Sequence, residues 1–292
     1  MMALVEALGV APGDCVAVVG AGGKTSLCWQ LTRELAQRGQ PVVFTTTTHI
    51  RQPARGAFGR LIVTDDLSAA AEQISHALRT LGAPTLAYAA RTNGLIDDTP
   101  VIESFMPAIH TKLSGFDGES ICRLRAQIQT IRIGEDRCTQ LTWLVEADGA
   151  RGLLLKAPAG HEPAIPACAD IVCVVANLEA LGRPLDERVA HRVERITALI
   201  GAQAGAPITP QMMVDVLTHP EGGLKHIPAG ARPVAVLNQH ETTLHPLGVD
   251  VAARLAARGF ARVVVASLRQ AQPVLHVMCS AKKLNPHPGD AG

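Results

Sequence analysis

A glycine-rich turn that ends in a lysine and two hydroxyl residues stands close to the N-terminus. It consists of Gly20, Ala21, Gly22, Gly23, Lys24, Thr25 and Ser26. Glycine lets backbone N–H groups approach an anion, and the N-terminus of a following helix adds unpaired donors and partial positive charge. Lys24 would neutralise the outer phosphates of a nucleotide, and the Thr25 hydroxyl could ligate Mg²⁺. The pattern therefore predicts a phosphate-binding loop for ATP or GTP.

The residues on either side of this turn predict the elements that position it. The apolar run 16–19 is typical of a buried strand. After the turn, Leu27, Leu31 and Leu35 recur at every fourth position, and Gly39 stands where a helix would end. These patterns indicate a strand, a glycine loop and a helix in succession.

The spacing of the loop leaves alternatives open. The usual phosphate loop, G-x-x-x-x-G-K-[ST], would need a glycine where this chain has Val18. The spacing from Gly20 to Thr25 is similar to the shortened loop of the Mur-ligase group. A dinucleotide loop would need glycine at position 25 and an acid after the second strand, which ends instead in the threonines 45–48. A third interpretation is a glycine turn that only packs a helix on a sheet.

A second polar cluster follows the apolar segment 140–145. Glu146 and Asp148 are two residues apart at the expected carboxyl end of that strand, and Gly149 follows. Alternation along a strand would direct both carboxylates to the same side, and ligands of open α/β sheets bind at this end. We expect these acids to hold Mg²⁺ and to act with Lys24 in catalysis. The alternative is a solvated Asp-Gly turn.

Two further groups are candidates for contact with a nucleotide. The threonine tract 45–48 suits either sensing of Mg²⁺ and the γ-phosphate, with Thr47 among the preferred residues, or simple β-propensity. Late in the chain, Asn238 and Glu241 stand after an apolar strand and resemble the Asn-Lys-x-Asp element of GTP-binding proteins. Gln239 replaces the lysine and glutamate replaces the aspartate, so the base is predicted to face these residues without strict guanine specificity.

Strand and helix patterns alternate along the chain. We expect further strands at 42–46, 60–64, 85–89, 171–175, 233–237 and 262–266, and helices at 67–81, 189–200 and 244–258. This alternation predicts an α/β fold, a mainly parallel sheet with helices on both faces. We expect one P-loop domain over 1–279 with insertions, a sub-boundary near 201–210, and a disordered tail at 280–292.

Composition excludes several classes of protein. A net charge of +1 and 3% aromatic residues argue against a nucleic-acid-binding protein. Neither a membrane-spanning apolar run nor a secretory signal pattern is visible, so we expect a cytoplasmic protein without a membrane partner. The cysteines form no Cys-x-x-Cys motif, and Cys15, Cys28 and Cys173 are expected to be free core residues in a reducing compartment.

Taken together, five motifs resemble the YqeC family. In chain order they read Gly-Ala-Gly-Gly-Lys-Thr-Ser, Thr-Thr-Thr-Thr-His-Ile, Val-Glu-Ala-Asp-Gly-Ala-Arg-Gly, Leu-Lys-Ala-Pro-Ala-Gly-His-Glu-Pro and Leu-Asn-Gln-His-Glu. The resemblance extends from about residue 10 to residue 245. It implies a cytosolic P-loop protein that helps to mature a selenium-dependent molybdenum hydroxylase, with that enzyme or its cofactor-maturation proteins as partners.

The sequence thus favours a nucleoside-triphosphate-binding and hydrolysing accessory protein. A second hypothesis is a ligase or kinase that uses ATP on a small acceptor, with Lys156, His161 and Glu162 lining the acceptor site. A third is a nucleotide-gated chaperone that binds without turnover. The identity of the reaction products would separate these three functions.

Overall fold

The structure is a computed structural model that describes residues 2–51, 59–81, 85–88, 90–92, 112–133, 137–241 and 246–280. The strands are β1 (Cys15–Gly20), β2 (Val42–Thr46), β3 (His49–Arg51), β4 (Arg60–Val63), β5 (Thr85–Tyr88), β6 (Ala90–Thr92), β7 (Lys112–Ser114), β8 (Thr130–Ile133), β9 (Arg137–Gln140), β10 (Thr142–Glu146), β11 (Leu155–Lys156), β12 (Ile171–Asn177), β13 (Ala190–His191), β14 (Arg232–Asn238), β15 (Arg262–Ala266) and β16 (Val274–Cys279). The helices are α1 (Leu4–Leu8), α2 (Lys24–Gln37), α3 (Leu67–Leu81), α4 (Gly118–Gln127), α5 (Val193–Ile200), α6 (Pro210–Thr218) and α7 (Pro246–Ala257).

A nine-stranded sheet forms the centre of the described chain, in the order β16-β15-β14-β12-β1-β10-β2-β5-β4. All neighbouring pairs from β15 to β4 are parallel, and β16 joins the β15 edge antiparallel. The strand β1 lies in the middle, between β10 and β12. The predicted α/β fold with a mainly parallel sheet is therefore confirmed.

Helices cover both faces of this sheet. Alternate residues of β1 belong to two separate apolar clusters, because successive side chains of a strand point to opposite faces. On one face, α1 and α2 pack through residues such as Leu8, Leu27 and Leu31. On the other face, α3 to α7 contribute residues such as Ile74 and Leu255. Burial on both faces explains why these strands read as continuous apolar runs.

Two differences from the sequence-based prediction lie after residue 188, and α1, α4, β8 and β9 were also not predicted. The helix predicted from residue 189 begins at Val193, because Ala190 and His191 pair with β11 as a short parallel strand. The helix α6 was not predicted, although Thr209 caps it through Met212 N–H and Pro210 occupies its first turn. The predicted tail, apart from Ser280, lies outside the described residues.

The cysteines show one departure from expectation. Cys15, Cys28 and Cys173 are buried and free, as predicted. Cys122 and Cys168, in contrast, form a disulfide that joins α4 to the segment before β12. This bond differs from the free thiols that a reducing compartment favours. No helix in the described ranges has the length and apolar character required to cross a membrane.

Candidate functional site

The glycine turn connects the central strand β1 to the start of α2, as the sequence predicted. Gly22 has a φ of +74°, and a Cβ atom there would lie 2.5 Å from the Cβ of Asn177. Gly23 has a φ of +152°, and its Cβ would lie 2.8 Å from Asn238 Nδ2. Both positions therefore require glycine for conformation and for space.

The backbone amides of this turn divide into two groups. Gly20 N–H donates to Asp148 Oδ2 at 2.9 Å, and Ala21 N–H donates to Val175 O at 2.8 Å. These two bonds hold the first half of the turn, one to the segment after β10 and the other to the strand β12. Gly23, the N-cap of α2, makes no side-chain capping bond. Since the first amides of a helix have no partner within it, the second half of the turn presents donors and the positive end of the helix dipole.

Thr25 and Glu146 meet beside this helix start. The strand β10 lies next to β1 with Glu146 in register with Val18, so its carboxyl end adjoins the turn. Thr25 Oγ1 donates to Glu146 Oε2 at 2.8 Å. Burial raises the pKa of Glu146, an effect opposed by the charge of Lys24 and by the Thr25 hydrogen bond.

The chemistry of this pair fits a magnesium ion. A hydroxyl and a carboxylate are hard oxygen donors, and Mg²⁺ in phosphate sites takes one or two protein ligands and completes its shell with phosphates and water. Within the described ranges, no group of three or more His, Cys, Asp or Glu side chains could hold a metal ion. Thr25 and Glu146 thus suit a metal that arrives with a phosphate ligand.

A cavity of about 610 Å³ opens over the second half of the turn. Its described lining includes Gly22, Gly23, Lys24, Thr25, Ser26, Trp29, His49, Ile50, Glu146, Gly149, Ala150, Arg151, Gly152, Leu154, Asn177, Asn238, His240 and Arg269. Among these residues, three are lysine or arginine and one is a carboxylate. The cavity therefore has the size and the charge balance for a phosphorylated ligand.

Asp148 is positioned differently from Glu146. The strand β10 ends at Glu146, so strand alternation does not extend to Asp148. This carboxylate is 2% exposed and lies behind the turn. Its Oδ1 is 3.2 Å from Lys24 Nζ, and its Oδ2 is 3.0 Å from Lys156 Nζ. Lys24 itself donates to Gly20 O at 2.7 Å. The two acids of this motif therefore have different partners.

A chain of ion pairs continues from Asp148 through buried Lys156 to the half-buried Glu162 and Arg192. Lys156 Nζ lies 2.8 Å from Glu162 Oε2, and Arg192 binds both oxygens of Glu162 at 2.8 and 3.0 Å. Burial disfavours the Glu162 charge, but the hydrogen bonds from Arg192 and Lys156 outweigh it and lower the pKa of Glu162 to about 2. His161 is exposed. Of the three residues considered for an acceptor site, two are thus bound to each other and one faces solvent.

The candidate base-contacting residues are separated in the structure. Asn238 lines the cavity, but its Nδ2 donates to Gly22 O at 2.7 Å and its Oδ1 accepts from Leu268 N–H at 3.2 Å. It braces the turn from the end of β14. Glu241 is exposed and does not line the cavity. Thr47 donates its N–H to Glu146 O at 3.1 Å, and its buried hydroxyl has no hydrogen-bond partner among the described residues.

Several cavity residues were not predicted from the sequence. Asn177 ends β12 beside β1, and a polar residue at the carboxyl end of a strand neighbouring the loop is a usable signal. Trp29 packs edge-to-face on Phe44, with ring centroids 4.9 Å apart. Arg269 follows β15 and carries no local signal, because only the strand order brings it to the cavity.

The mainly parallel sheet with helices on both faces and the glycine loop after its central strand make this an α/β protein whose fold is consistent with a P-loop NTPase-like fold. The profile of the family described as YqeC protein matches residues 16–194. A relative from Escherichia coli (strain K12), named uncharacterized protein YqeC, is 30% identical over 224 residues, which cover 77% of this chain and 75% of the relative. The chain belongs to the YqeC family. No solved structure matches it.

Proposed function

We propose that this protein binds a nucleoside triphosphate together with Mg²⁺ in the cavity over the glycine turn, and that it hydrolyses the triphosphate. The observation that carries the proposal is the 2.8 Å contact between Thr25 Oγ1 and Glu146 Oε2 at the start of α2. A hydroxyl and a carboxylate in contact beside a lysine and an uncapped helix start form a site for a metal–phosphate complex.

Each part of the loop has a role in this proposal. The amides from Gly22 to Ser26 bind the phosphates, and Lys24 neutralises them. Thr25 and Glu146 hold the Mg²⁺, which when bound would offset phosphate charge. We assign the metal to Glu146 rather than Asp148 because Glu146 lines the cavity, whereas Asp148 faces two lysines behind the loop. Gly20 and Ala21 fix the loop to the sheet.

The biological role in the proposal follows from the family. The resemblance to YqeC implies an accessory protein, so we propose that the nucleotide cycle serves the maturation of a selenium-dependent molybdenum hydroxylase in the cytoplasm. Binding and hydrolysis would switch the protein between a form that engages the target enzyme, or its cofactor-maturation proteins, and a form that releases it.

The geometry bears on the alternative functions. A ligase or kinase needs an open acceptor site, and the pairing of buried Lys156 with Glu162 gives that alternative little support. A nucleotide-gated chaperone would use the same loop without turnover. Product analysis after incubation with MgATP or MgGTP separates the three functions: diphosphate and phosphate alone support hydrolysis, a modified small molecule supports a ligase or kinase, and no product supports the chaperone.

Thermal unfolding with and without MgATP or MgGTP tests the binding step. A ligand at 100 times its dissociation constant should stabilise the wild type by about 2.7 kcal/mol, which for a chain of 292 residues raises its Tm by about 4–5 °C. Lys24→Ala should abolish this shift. Lys225→Ala is the matched control, because Lys225 is equally buried but donates to Ala159 O at 3.0 Å, away from the cavity lining. A shift with NAD and none with either triphosphate would favour the dinucleotide interpretation.

A further inference from the structure

The carboxylate of Asp148 lies behind the glycine turn and carries part of its support. It is buried, and it holds the loop through the hydrogen bond from Gly20 N–H and through the ammonium of Lys24. A buried charge is tolerated only where it is compensated. Lys24 is a poor sole partner for this purpose, because the proposed function also requires its charge for the phosphates of the ligand.

Lys156 supplies a second and permanent partner. Its side chain is 1% exposed, and its ammonium lies 3.0 Å from Asp148 Oδ2. The same ammonium donates to Gly149 O and faces Glu162. Arg192 in turn fixes Glu162 with two hydrogen bonds. Lys156 is therefore held from several directions and does not border the cavity.

We infer that Lys156 is a positioning residue for the phosphate loop. Lys156 compensates the charge of Asp148 and holds its carboxylate in place. Asp148 can then orient Gly20 and Lys24 even when the ammonium of Lys24 also binds the phosphates. Glu162 and Arg192 hold Lys156 for this task. This inference rests on the proposed function and adds a role that neither the loop motif nor the acidic motif contains.

A charge-pair cycle tests the inference. Lys156→Met removes the ammonium but keeps most of the side-chain volume, and Asp148→Asn keeps an oxygen acceptor for Gly20 N–H. We expect Lys156→Met to weaken binding of MgATP or MgGTP, whichever the wild type binds more tightly, by about tenfold to a hundredfold. The double variant Asp148→Asn with Lys156→Met should bind within about threefold of the wild type, because the carboxylate that needs Lys156 is removed with it. Arg192 still pairs with Glu162, and the phosphates of the bound ligand take the place of Asp148 as the partner of Lys24. Calorimetric titration measures the affinities of the wild type, the two single variants and the double variant. Thermal unfolding of the same four proteins without ligand measures their stabilities.

The controls separate positioning from general damage. Lys225→Met removes another buried lysine and should lower the Tm without changing triphosphate affinity. If Lys156→Met alone does not fold, the inference requires that the double variant folds. Wild-type affinity in Lys156→Met, or a double variant as weak as the single one, would overturn the role of Lys156 and leave the proposed function intact. Failure of the wild type to bind either triphosphate would overturn the proposed function itself.

Discussion

Replacement of Glu146 by glutamine should impair the Mg²⁺-dependent binding of a triphosphate while leaving the stability of the protein nearly unchanged. Burial raises the pKa of Glu146, against the opposing effects of Lys24 and Thr25. An acid whose pKa is raised on folding contributes stability that is fully present below its unfolded pKa and is lost as pH rises through its folded pKa. Above the unfolded pKa, burial of Glu146 is therefore a cost to the ligand-free fold, and the neutral isostere removes that cost.

The size of the effect follows from the contacts. Glutamine still accepts from the Thr25 hydroxyl, but a neutral hydrogen bond is weaker than a charged one by about 1 kcal/mol. This loss and the removed burial cost oppose each other. We expect Glu146→Gln to change the free energy of unfolding by no more than about 1 kcal/mol, or about 1–2 °C in Tm. As the pH rises above the normal range of a glutamate, the wild type should lose more stability than the Glu146→Gln variant.

Binding of the triphosphate should respond to this replacement much more strongly than stability does. Glu146 is the one carboxylate among the described residues of the cavity lining, so its neutralisation should raise the Mg²⁺ concentration needed for triphosphate binding about tenfold to a hundredfold. Scanning calorimetry and a Mg²⁺ titration of triphosphate binding measure the two effects. Glu187→Gln, at an exposed position, should change neither. A wild-type Mg²⁺ requirement in a well-folded Glu146→Gln protein would refute the reasoning.

Three further outcomes are expected. Because Asn238 is engaged with the loop and with Leu268 N–H, Asn238→Ala should weaken ATP and GTP binding alike. A guanine preference of the wild type above about a hundredfold, or ~2.7 kcal/mol, in competition binding would contradict this. Reduction of Cys122–Cys168, which are 46 residues apart, should lower the free energy of unfolding by about 2–4 kcal/mol. An equal thiol count before and after reduction would exclude the bond. Because the pKa of Glu162 is lowered to about 2, its contribution to stability is present above the unfolded pKa and is lost as pH falls toward 2. When unfolding is followed as a function of falling pH, Glu162→Gln should not show that part of the loss of stability.

The sequence predicted the parts of the site that depend on local order. A strand, a glycine turn and a helix follow each other directly, so the turn and its lysine could be located from periodicity and spacing. Glu146 could be located because the carboxyl ends of parallel strands share one edge of the sheet. The order β10-β1 then brings Glu146 to Thr25.

The parts of the site that the sequence did not reveal depend on the path of the chain after a strand and on contacts between distant residues. Asp148 was expected beside Glu146, but β10 ends before it and its carboxylate lies against Lys156. Glu162 and Arg192 are 30 residues apart, and no periodic pattern connects them. Long-range ion pairs of this kind follow from packing, which a single sequence does not encode in local spacing. The disulfide was missed for the same reason.

Calorimetric titration with ATP and GTP, in Mg²⁺ and again in EDTA, tests the central claim most directly. The account predicts that at least one triphosphate binds at a single site, that Mg²⁺ strengthens the binding, and that Lys24→Ala abolishes it while Lys225→Ala does not. NAD should not compete. Binding of NAD without binding of either triphosphate, or triphosphate binding that is indifferent to both Mg²⁺ and Lys24, would contradict it.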